Sequence, residues 1–379
     1  MAFIRTFTKR IFIVSNIVVV VLFLLTCSNA WLSAGRFWII SLLSLIFPLL
    51  LLLVIGFLIF WLFFHSRRLC FISAIALLIG WPNIHAFIAF DIHKPFKLEK
   101  PAKAFRILTW NVHGWDEFVT KKPGLSGHRL KMMEFINQQN ADIVCFQEFI
   151  EPNKLKDLSP NIEYIRNELR FPYYYYSSDF IRRDQSYTSG IIIFSKYPIT
   201  DTFKIKFNTP TGGNPRYVES ILAADINING KIVRVFTTHL QSVLFKSKDW
   251  RDVEIIKNVD DQVLEASKSI VKKLKTAYTS RRDQADSVRA ALDKSPYPEI
   301  ICGDFNDVPN SYVYFHILGD RRDAFIKKGF GLGRTYVNIS PTLRIDYIMA
   351  DRQLNVLQCA KFPIPYSDHH PVIADLQMP

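Results

Sequence analysis

Apolar residues run almost without interruption through the first quarter of the chain. Between Ile11 and Phe90 the only charged side chains are Arg36, Arg67 and Arg68. A helix that crosses a bilayer needs about 20 consecutive apolar residues, and three stretches reach that length, at about 11–32, 37–64 and 69–90. The pattern therefore predicts a membrane region over residues 1–92 with three transmembrane helices. The first stretch begins like a signal peptide but is long for one, so we expect it to remain uncleaved.

Flanking charges predict the orientation of these helices, because short loops rich in Lys and Arg stay in the cytoplasm. Basic residues precede the first helix and recur between the second and third, at Arg5, Lys9, Arg10, Arg67 and Arg68. We therefore expect a multi-pass membrane protein whose remaining chain lies on the extracytoplasmic side. Four lysines after the third helix favour the opposite orientation: Lys94, Lys97, Lys100 and Lys103.

Charges of both signs return after the membrane region. Residues 93–103 contain two Lys-Pro pairs and no helical periodicity, which is typical of a linker. Over 104–379, short apolar runs alternate with amphipathic stretches, which predicts an α/β (α+β) domain. Its strands lack the long apolar repeats of an all-parallel barrel, so we expect mixed sheets.

Several segments of this domain have clear local signals. Strands are predicted at Phe105–Trp110, Ala141–Phe146, Ser189–Lys196, Arg216–Ile226, Lys231–Thr238, Ile300–Cys302, Arg344–Met349 and Val372–Leu376, and helices at Gly127–Asn140 and Asn161–Leu169. Asn229-Gly230 predicts a tight hairpin. The tyrosine-rich segment Phe171–Tyr176 favours a half-buried strand over a substrate-stacking surface.

The segment Ser242–Asp293 is charged and mostly helical in pattern, and Asp249–Leu274 resembles an insertion. Its lysines favour a solvated face over contact with an anionic surface; they are Lys268, Lys272, Lys273 and Lys275. The whole chain has 47 Lys and Arg against 34 Asp and Glu, a net charge of +13. This balance suits an anionic substrate or an anionic lipid surface, and it does not separate lipid from nucleic acid.

Polar side chains follow the predicted strands at the points where chemistry is usually found. Gly303 ends a buried strand, and Asp304 and Asn306 follow two positions apart, so both face the same side. Taken alone, these residues also suit a turn. Glu148 closes another apolar strand and needs a cation, a base or water if it is buried.

The same pattern recurs along the domain. Oxygen or imidazole groups lie in or after separate strands at Asn111, Glu148, His239, Asp304, Asn306, Asp346, Asp368 and His369. We expect these groups to meet in a single polar cleft. Oxygen-rich ligands suit a hard cation, Mg²⁺ or Mn²⁺, and no Cys/His set has the spacing of a zinc site.

The order of these motifs resembles the endonuclease/exonuclease/phosphatase superfamily. The motifs are Trp110-Asn111-Val112, Gln147-Glu148, Ser189-Gly190 with Ser195-Lys196-Tyr197-Pro198, Thr238-His239-Leu240, Gly303-Asp304-Phe305-Asn306, Arg344-Ile345-Asp346-Tyr347-Ile348 and Ser367-Asp368-His369-His370-Pro371-Val372. The resemblance covers about residues 104–379. It implies a four-layer sandwich of two mixed β-sheets flanked by helices, here preceded by the three transmembrane helices. It also implies metal-dependent hydrolysis of a phosphate ester.

The resemblance implies a role for each candidate. Glu148 would bind the metal with Asn111 beside it, and Asp368 would support the metal or the histidines. Asp304, held by Asn306, would orient or deprotonate the attacking water.

The remaining roles concern the phosphate. His369, aligned by Asp346, would donate to a nonbridging phosphate oxygen. His239 would stabilise the transition state or assist the leaving group. The family leaves open whether one metal or two are used and which group is the general base.

We therefore predict a membrane-anchored Mg²⁺- or Mn²⁺-dependent phosphoric ester hydrolase that acts on phosphodiesters. Its substrate would be a lipid headgroup or a nucleic acid, and membrane lipids would surround its anchor. The alternatives are a membrane-bound nuclease and an inactive, membrane-tethered binding module. No protein partner is predicted.

Overall fold

The computed structural model describes residues 2–32, 37–64, 67–92, 95–117, 127–153, 160–207, 217–243, 263–338 and 340–378. The chain divides into two compact units. The first contains residues 1–87, 244–282 and 308–316, and the second contains 88–243, 283–307 and 317–379. Much of the predicted insertion, residues 249–262, lies outside the described residues, as does Arg216.

The first unit is helical. Its N-terminal helices are α1 (Ala2–Cys27), α2 (Trp38–Leu43), α3 (Phe47–Phe63), α4 (Arg67–Ile79) and α5 (Trp81–Phe87). Two segments are long and apolar enough to cross a membrane, Thr6–Ala30 and Trp38–Phe63. Buried polar groups join the helices: the Ser73 hydroxyl donates to Asn16 at 3.0 Å. Such contacts hold apolar helices together where the hydrophobic effect does not.

The third predicted span differs from a single straight helix. The helical segments Arg68–Ile79 and Trp81–Phe87 meet at an angle of 61° and count as one further span only if the bent pair is taken together. Pro82 lies in the first turn after the break, where its missing N–H is tolerated. The predicted span 69–90 also ends too late, because Ala89–Phe90 forms a short strand (β1).

The second unit contains two six-stranded sheets. Their strands are β2 (Phe105–Asn111), β3 (Ile143–Pro152), β4 (Tyr173–Ile181), β5 (Tyr187–Ser195), β6 (Ile199–Lys206), β7 (Ser220–Ile228), β8 (Lys231–His239), β9 (Glu299–Asp304), β10 (Arg322–Asp323), β12 (Asp346–Ala350), β13 (Asn355–Lys361) and β14 (Val372–Gln377). The first sheet has the order β13-β14-β2-β3-β5-β4, and the second has the order β10-β12-β9-β8-β7-β6. The strand β11 (Phe330–Gly331) pairs with β1.

The two sheets repeat one pairing pattern. Each has a parallel pair at its centre, β2 with β3 and β8 with β9, and its other neighbours are antiparallel. Both parallel pairs therefore bring two strand carboxyl ends to the same edge of their sheet. The starts of the antiparallel neighbours β14 and β12 lie at the same edge, opposite Thr109 and Asp304.

The sheets pack face to face with helices outside, as the mixed-sheet prediction required. The alternation of side chains divides each central strand between two cores. In β2, Ile107 belongs to the core between the sheets. Leu108 belongs to the outer core, which α6 (Gly127–Gln138) and α7 (Asn161–Asn167) complete. The remaining helices are α8 (Val263–Leu292), α9 (Tyr312–Leu318) and α10 (Ala324–Lys328).

A buried ion pair anchors the segment predicted as a linker. Arg106 and Asp375 face each other across β2 and β14 with two N–O distances of 2.6 and 2.8 Å, and both side chains are fully buried. The same guanidinium donates to the carbonyls of Lys97 and Leu98. The described part of this segment is therefore bonded to the sheet, and Lys100 pairs with Asp142 at 2.7 Å.

Two strands escaped sequence reasoning, and one was assigned too short. Strands β6 and β13 had no strong apolar alternation and were not predicted. Strand β3 does not close at Gln147-Glu148 but continues to Pro152. The predicted hairpin is present, and Asn229 and Gly230 both have positive φ.

We expect Gly303→Ala to destabilise the fold by about 3 kcal/mol, because both strain and a clash oppose it. Gly303 has φ +137°, and an added Cβ would lie 2.1 Å from the carbonyl oxygen of Thr238. Gly230 has φ +90° with open space around the same position, so Gly230→Ala should cost only about 1 kcal/mol. Denaturant unfolding of the full-length variants measures the difference, and equal losses would contradict this assignment.

Candidate active site

Asn111 and Glu148 lie side by side on the central parallel pair of the first sheet. Asn111 ends β2, and its amide nitrogen donates to Glu148 at 3.0 Å and to Asp304 at 3.1 Å. Glu148 is not at a strand end: the register of β3 against β5 shifts between Phe146 and Phe149. Glu148 has φ +50° at this irregularity. A bulge re-aims a side chain without ending the strand, which explains how a mid-strand carboxylate reaches the edge.

The central pair of the second sheet contributes Asp304 and His239, which face each other in register. Asp304 is 1 % exposed, and its Oδ2 lies 3.6 Å from the Nε2 atoms of both His239 and His369. Its Oδ1 accepts from the backbone N–H of Asn306 at 2.8 Å. The Asn306 side chain does not contact the Asp304 carboxylate by a printed bond but donates to the carbonyl of Leu240 at 2.8 Å. Asn306 therefore fixes the loop that follows Asp304.

His369 forms a buried pair with Asp346. Asp346 starts β12 opposite Asp304, and its carboxylate lies 2.9 Å from Nδ1 of His369. Thr335 accepts no charge here, but its hydroxyl oxygen accepts the backbone N–H of Asp346 at 3.1 Å. The Trp110 indole donates to the carbonyl of His369 at 2.8 Å. The imidazole thus lies between two carboxylates, with Nδ1 toward Asp346 and Nε2 toward Asp304.

His239 has one ring nitrogen held and one free of partners within the described chain. Its Nδ1 lies 3.5 Å from the hydroxyl of Tyr217. Its Nε2 is buried without a hydrogen-bond partner, 3.8 Å from Glu148 and 3.6 Å from Asp304. A buried polar atom of this kind requires an explanation, and a ligand at the site supplies one.

His113 is a site residue that sequence reasoning missed. Its Nδ1 lies 3.6 Å from Glu148 and 3.5 Å from Asp368. The residues His113, Gly114, Trp115 and Asp116 all have positive φ, between 45° and 62°. Such strain persists only where packing over-determines the backbone, and Trp115 is fully buried against Phe146 and Phe149. An imidazole two positions after Asn111 was the available signal.

Asp368 reaches the site through the loop before β14. The Ser367 hydroxyl donates to the carbonyl of Asn111 at 2.8 Å, which fixes this loop against the end of β2. Asp368 and Glu148 approach the same nitrogen of His113 from two strands. The eight predicted residues are therefore brought to one edge of the sandwich, with Asn306 in a supporting position.

The charges of the site are mutually dependent. Burial opposes ionisation of Glu148, but His113, His239 and Asn111 outweigh it and hold its pKa well below the usual range. The Glu148 carboxylate in turn raises the pKa of His113 to about 9. Burial also opposes protonation of His369, yet Asp346 and Asp304 raise its pKa. Burial and the neighbouring Asp346 raise the pKa of Asp304.

Two sets of side chains have the composition of a metal site. Asp304, Asp346 and His369 offer ligand atoms within 4.8 Å of one another. In that set, however, His369 Nδ1 is already bonded to Asp346 at 2.9 Å. Glu148, Asn111 and Asp368 instead offer oxygens, and the Glu148 side chain is 36 % exposed. Hard cations prefer such oxygens, so this second set fits Mg²⁺ or Mn²⁺.

The comparisons with known proteins agree with this geometry. Residues 108–369 match the model of the endonuclease/exonuclease/phosphatase family, so the chain belongs to that family, whose members are divalent-metal-dependent phosphoester hydrolases. Residues 9–87 match a domain of unknown function. A search of curated proteins finds no match.

Solved structures show the same fold. An endonuclease/exonuclease/phosphatase from Beutenbergia cavernae DSM 12333 has 17 % sequence identity and a TM-score of 0.54, over 73 % of this chain and 72 % of that chain. The human Nocturnin catalytic domain with bound sulfate has 14 % identity and a TM-score of 0.49, over 74 % and 97 % of the two chains. D. rerio TDP2 complexed with a single-strand DNA product has 15 % identity and a TM-score of 0.48, over 73 % and 99 %.

We expect a strong energetic coupling between His369 and Asp346. Removing one partner of a buried pair leaves the other charge uncompensated, so Asp346→Ala should cost about 3 kcal/mol of unfolding free energy. The double variant Asp346→Ala/His369→Ala should recover part of that loss. A double-mutant cycle in EDTA measures the coupling. The exposed pair Arg289–Asp293, at 2.8 Å, is the matched control and should show about 0.5 kcal/mol or less.

Proposed function

We propose that this protein is a membrane-anchored, metal-dependent phosphodiesterase. The observation that carries the proposal is the convergence of Glu148, Asn111, Asp304, His239 and His369 on one edge of the sandwich, linked by distances of 3.0 to 3.8 Å. A phosphodiester requires neutralisation of its nonbridging oxygens, a positioned water and help for the departing oxygen. The site offers a group for each requirement.

Glu148 and Asn111 would hold Mg²⁺ or Mn²⁺, with Asp368 completing the oxygen ligands. A bound divalent ion would supply charge neutralisation at the phosphate. Asn111 donates to Glu148 at 3.0 Å and so orients that carboxylate. Protonated His113 lies between Glu148 and Asp368 and holds the two carboxylates together.

Asp304 would orient or deprotonate the attacking water, with Asn306 fixing its loop. The raised pKa of Asp304, caused by burial, brings its basicity closer to that of a useful proton acceptor. Asp346 keeps His369 protonated and oriented, so the Nε2–H of His369 can donate to a nonbridging oxygen. His239 has its Nε2 available to stabilise developing charge or to assist the leaving group.

The apolar segments Thr6–Ala30 and Trp38–Phe63 support a membrane anchor. An anchored enzyme meets substrates at a bilayer surface, which favours lipid headgroup diesters, with nucleic acid as the rival substrate. The basic balance of the chain suits either anion. An inactive binding module is disfavoured, because every polar position expected of the family is filled.

Glu148→Ala and His369→Ala should each lower the turnover of bis(p-nitrophenyl) phosphate by about 1,000-fold or more in Mg²⁺ or Mn²⁺. Each removes a group that neutralises charge on the reacting phosphate. Glu148→Ala should also weaken Mn²⁺ binding measured by calorimetry, whereas His369→Ala should leave that affinity largely unchanged.

The matched controls are Glu163→Ala, on the exposed side of α7, and His316→Ala on α9. Both should retain activity within about twofold, since neither residue is at the site. Unchanged rates in the Glu148 and His369 variants would refute the assignment.

The charge pattern predicts that the catalytic unit faces away from the cytoplasm. Protease added to intact expressing cells should therefore digest the segment 104–379 without permeabilisation. A cytoplasmic reporter protein, intact in the same cells, is the control for lysis. Digestion that occurs only after the cells are opened would reverse the orientation.

A further inference from the structure

A basic cavity of about 420 Å³ lies at the tip of the β4–β5 hairpin. Its lining combines the hairpin with the end of β6 and the segment before β7, through Asp179, Arg182, Arg183, Lys206 and Val218. Pockets of about 300–1,000 Å³ hold small-molecule ligands, so this one has room for a charged group of a substrate. None of its lining residues belongs to the candidate active site.

Strand register places the cavity on the same edge of the sandwich as the catalytic groups. In the second sheet, Lys206 pairs with Ser220, and the next residue of β7, Ile221, pairs with Thr238. Thr238 immediately precedes His239. Lys206 is therefore two strands away from His239, at the same end of the sheet.

Direct contacts connect the cavity wall to the site. The backbone N–H of Val218 donates to the carbonyl of Asp179 at 3.0 Å. Phe180, the next residue of β4, forms a β-bridge with Tyr217. The hydroxyl of Tyr217 lies 3.5 Å from Nδ1 of His239. A ligand that spans the cavity and the site would pass along this wall.

The charge of the cavity is mostly positive. Arg182 is shared with Asp184 at 3.3 Å, where both side chains are about half exposed, and such a pair is weak. Arg183 and Lys206 have no carboxylate within salt-bridge distance among the described residues. Asp179 opposes an anion least, because burial raises its pKa to about 7 and Ser220 donates to it at 2.7 Å.

We propose that this cavity binds a second anionic group of the substrate, a phosphate that neighbours the scissile diester. The inference rests on the proposed function and names the substrate class more narrowly. Arginine binds phosphate through paired N–H donors, and Arg182 and Arg183 supply two such groups at the hairpin tip. The phosphate belongs to a lipid headgroup or to a free nucleotide, and the experiment separates these sources.

The first test compares full-length wild type with Arg182→Ala/Arg183→Ala on matched diesters in Mn²⁺. The soluble arm uses thymidylyl-thymidine with and without a 5′-phosphate. The lipid arm uses phosphatidylinositol with and without a 4-phosphate in phosphatidylcholine vesicles. In one arm the extra phosphate should raise wild-type kcat/KM about tenfold, and the variant should lose this gain. Turnover of bis(p-nitrophenyl) phosphate should stay within about twofold in the variant.

The second test needs no turnover. Inorganic phosphate is titrated in EDTA into two full-length proteins that both carry His369→Ala, with and without the arginine substitutions. The arginine variant should bind phosphate about tenfold more weakly. Lys231→Ala/Lys294→Ala is the matched control, because both lysines lie at the opposite ends of β8 and β9, and it should bind like its parent.

A preference for the extra phosphate that survives in the arginine variant would overturn the inference, as would wild type showing no preference in either arm. Equal phosphate affinity with and without the arginines would also overturn it. If wild type cleaves none of the diesters, the proposed function fails, and the phosphate titration alone decides whether the cavity is an anion site.

Discussion

The parallel pairing at the centre of each sheet is the constraint on which the candidate site depends. A parallel pair places two strand carboxyl ends together, and the two sheets stack with these ends at a common edge. Asn111 comes from one pair, and His239 and Asp304 come from the other. The antiparallel neighbours then begin at the same edge, which brings Asp346 and His369 beside them.

Gathering so many ionisable groups at a buried edge has an energetic cost that the site offsets by pairing. Asp304 and His369 are almost fully buried, and each has an opposite charge within 3.6 Å. The backbone is strained at the same place, since Glu148, His113 and Asn306 all have positive φ. Strain and desolvated charge are common where a protein is built to stabilise a reaction rather than its own fold.

Sequence patterns predicted the sandwich better than they predicted the details of the site. Short apolar runs identified β2, β8, β9 and β14, because a strand buried on both faces is apolar at every position. Strands β6 and β13 are half exposed and lack that signal. Arg344 and Asp346 are two residues apart, yet Arg344 pairs with Asp323 at 2.5 Å and Asp346 with His369. Partners that come from distant segments cannot be read from local spacing.

The sequence by itself determined the apolar helices, the strands and the types of residue available for metal and phosphate chemistry, since these follow from local periodicity and side-chain chemistry. Tertiary structure decided how they are used. It placed Glu148 in a bulge inside β3, turned His113 toward two carboxylates, and brought Arg182 and Lys206 to one cavity. These arrangements depend on strand register and on backbone angles stabilised by distant packing, and no local pattern of residues encodes either.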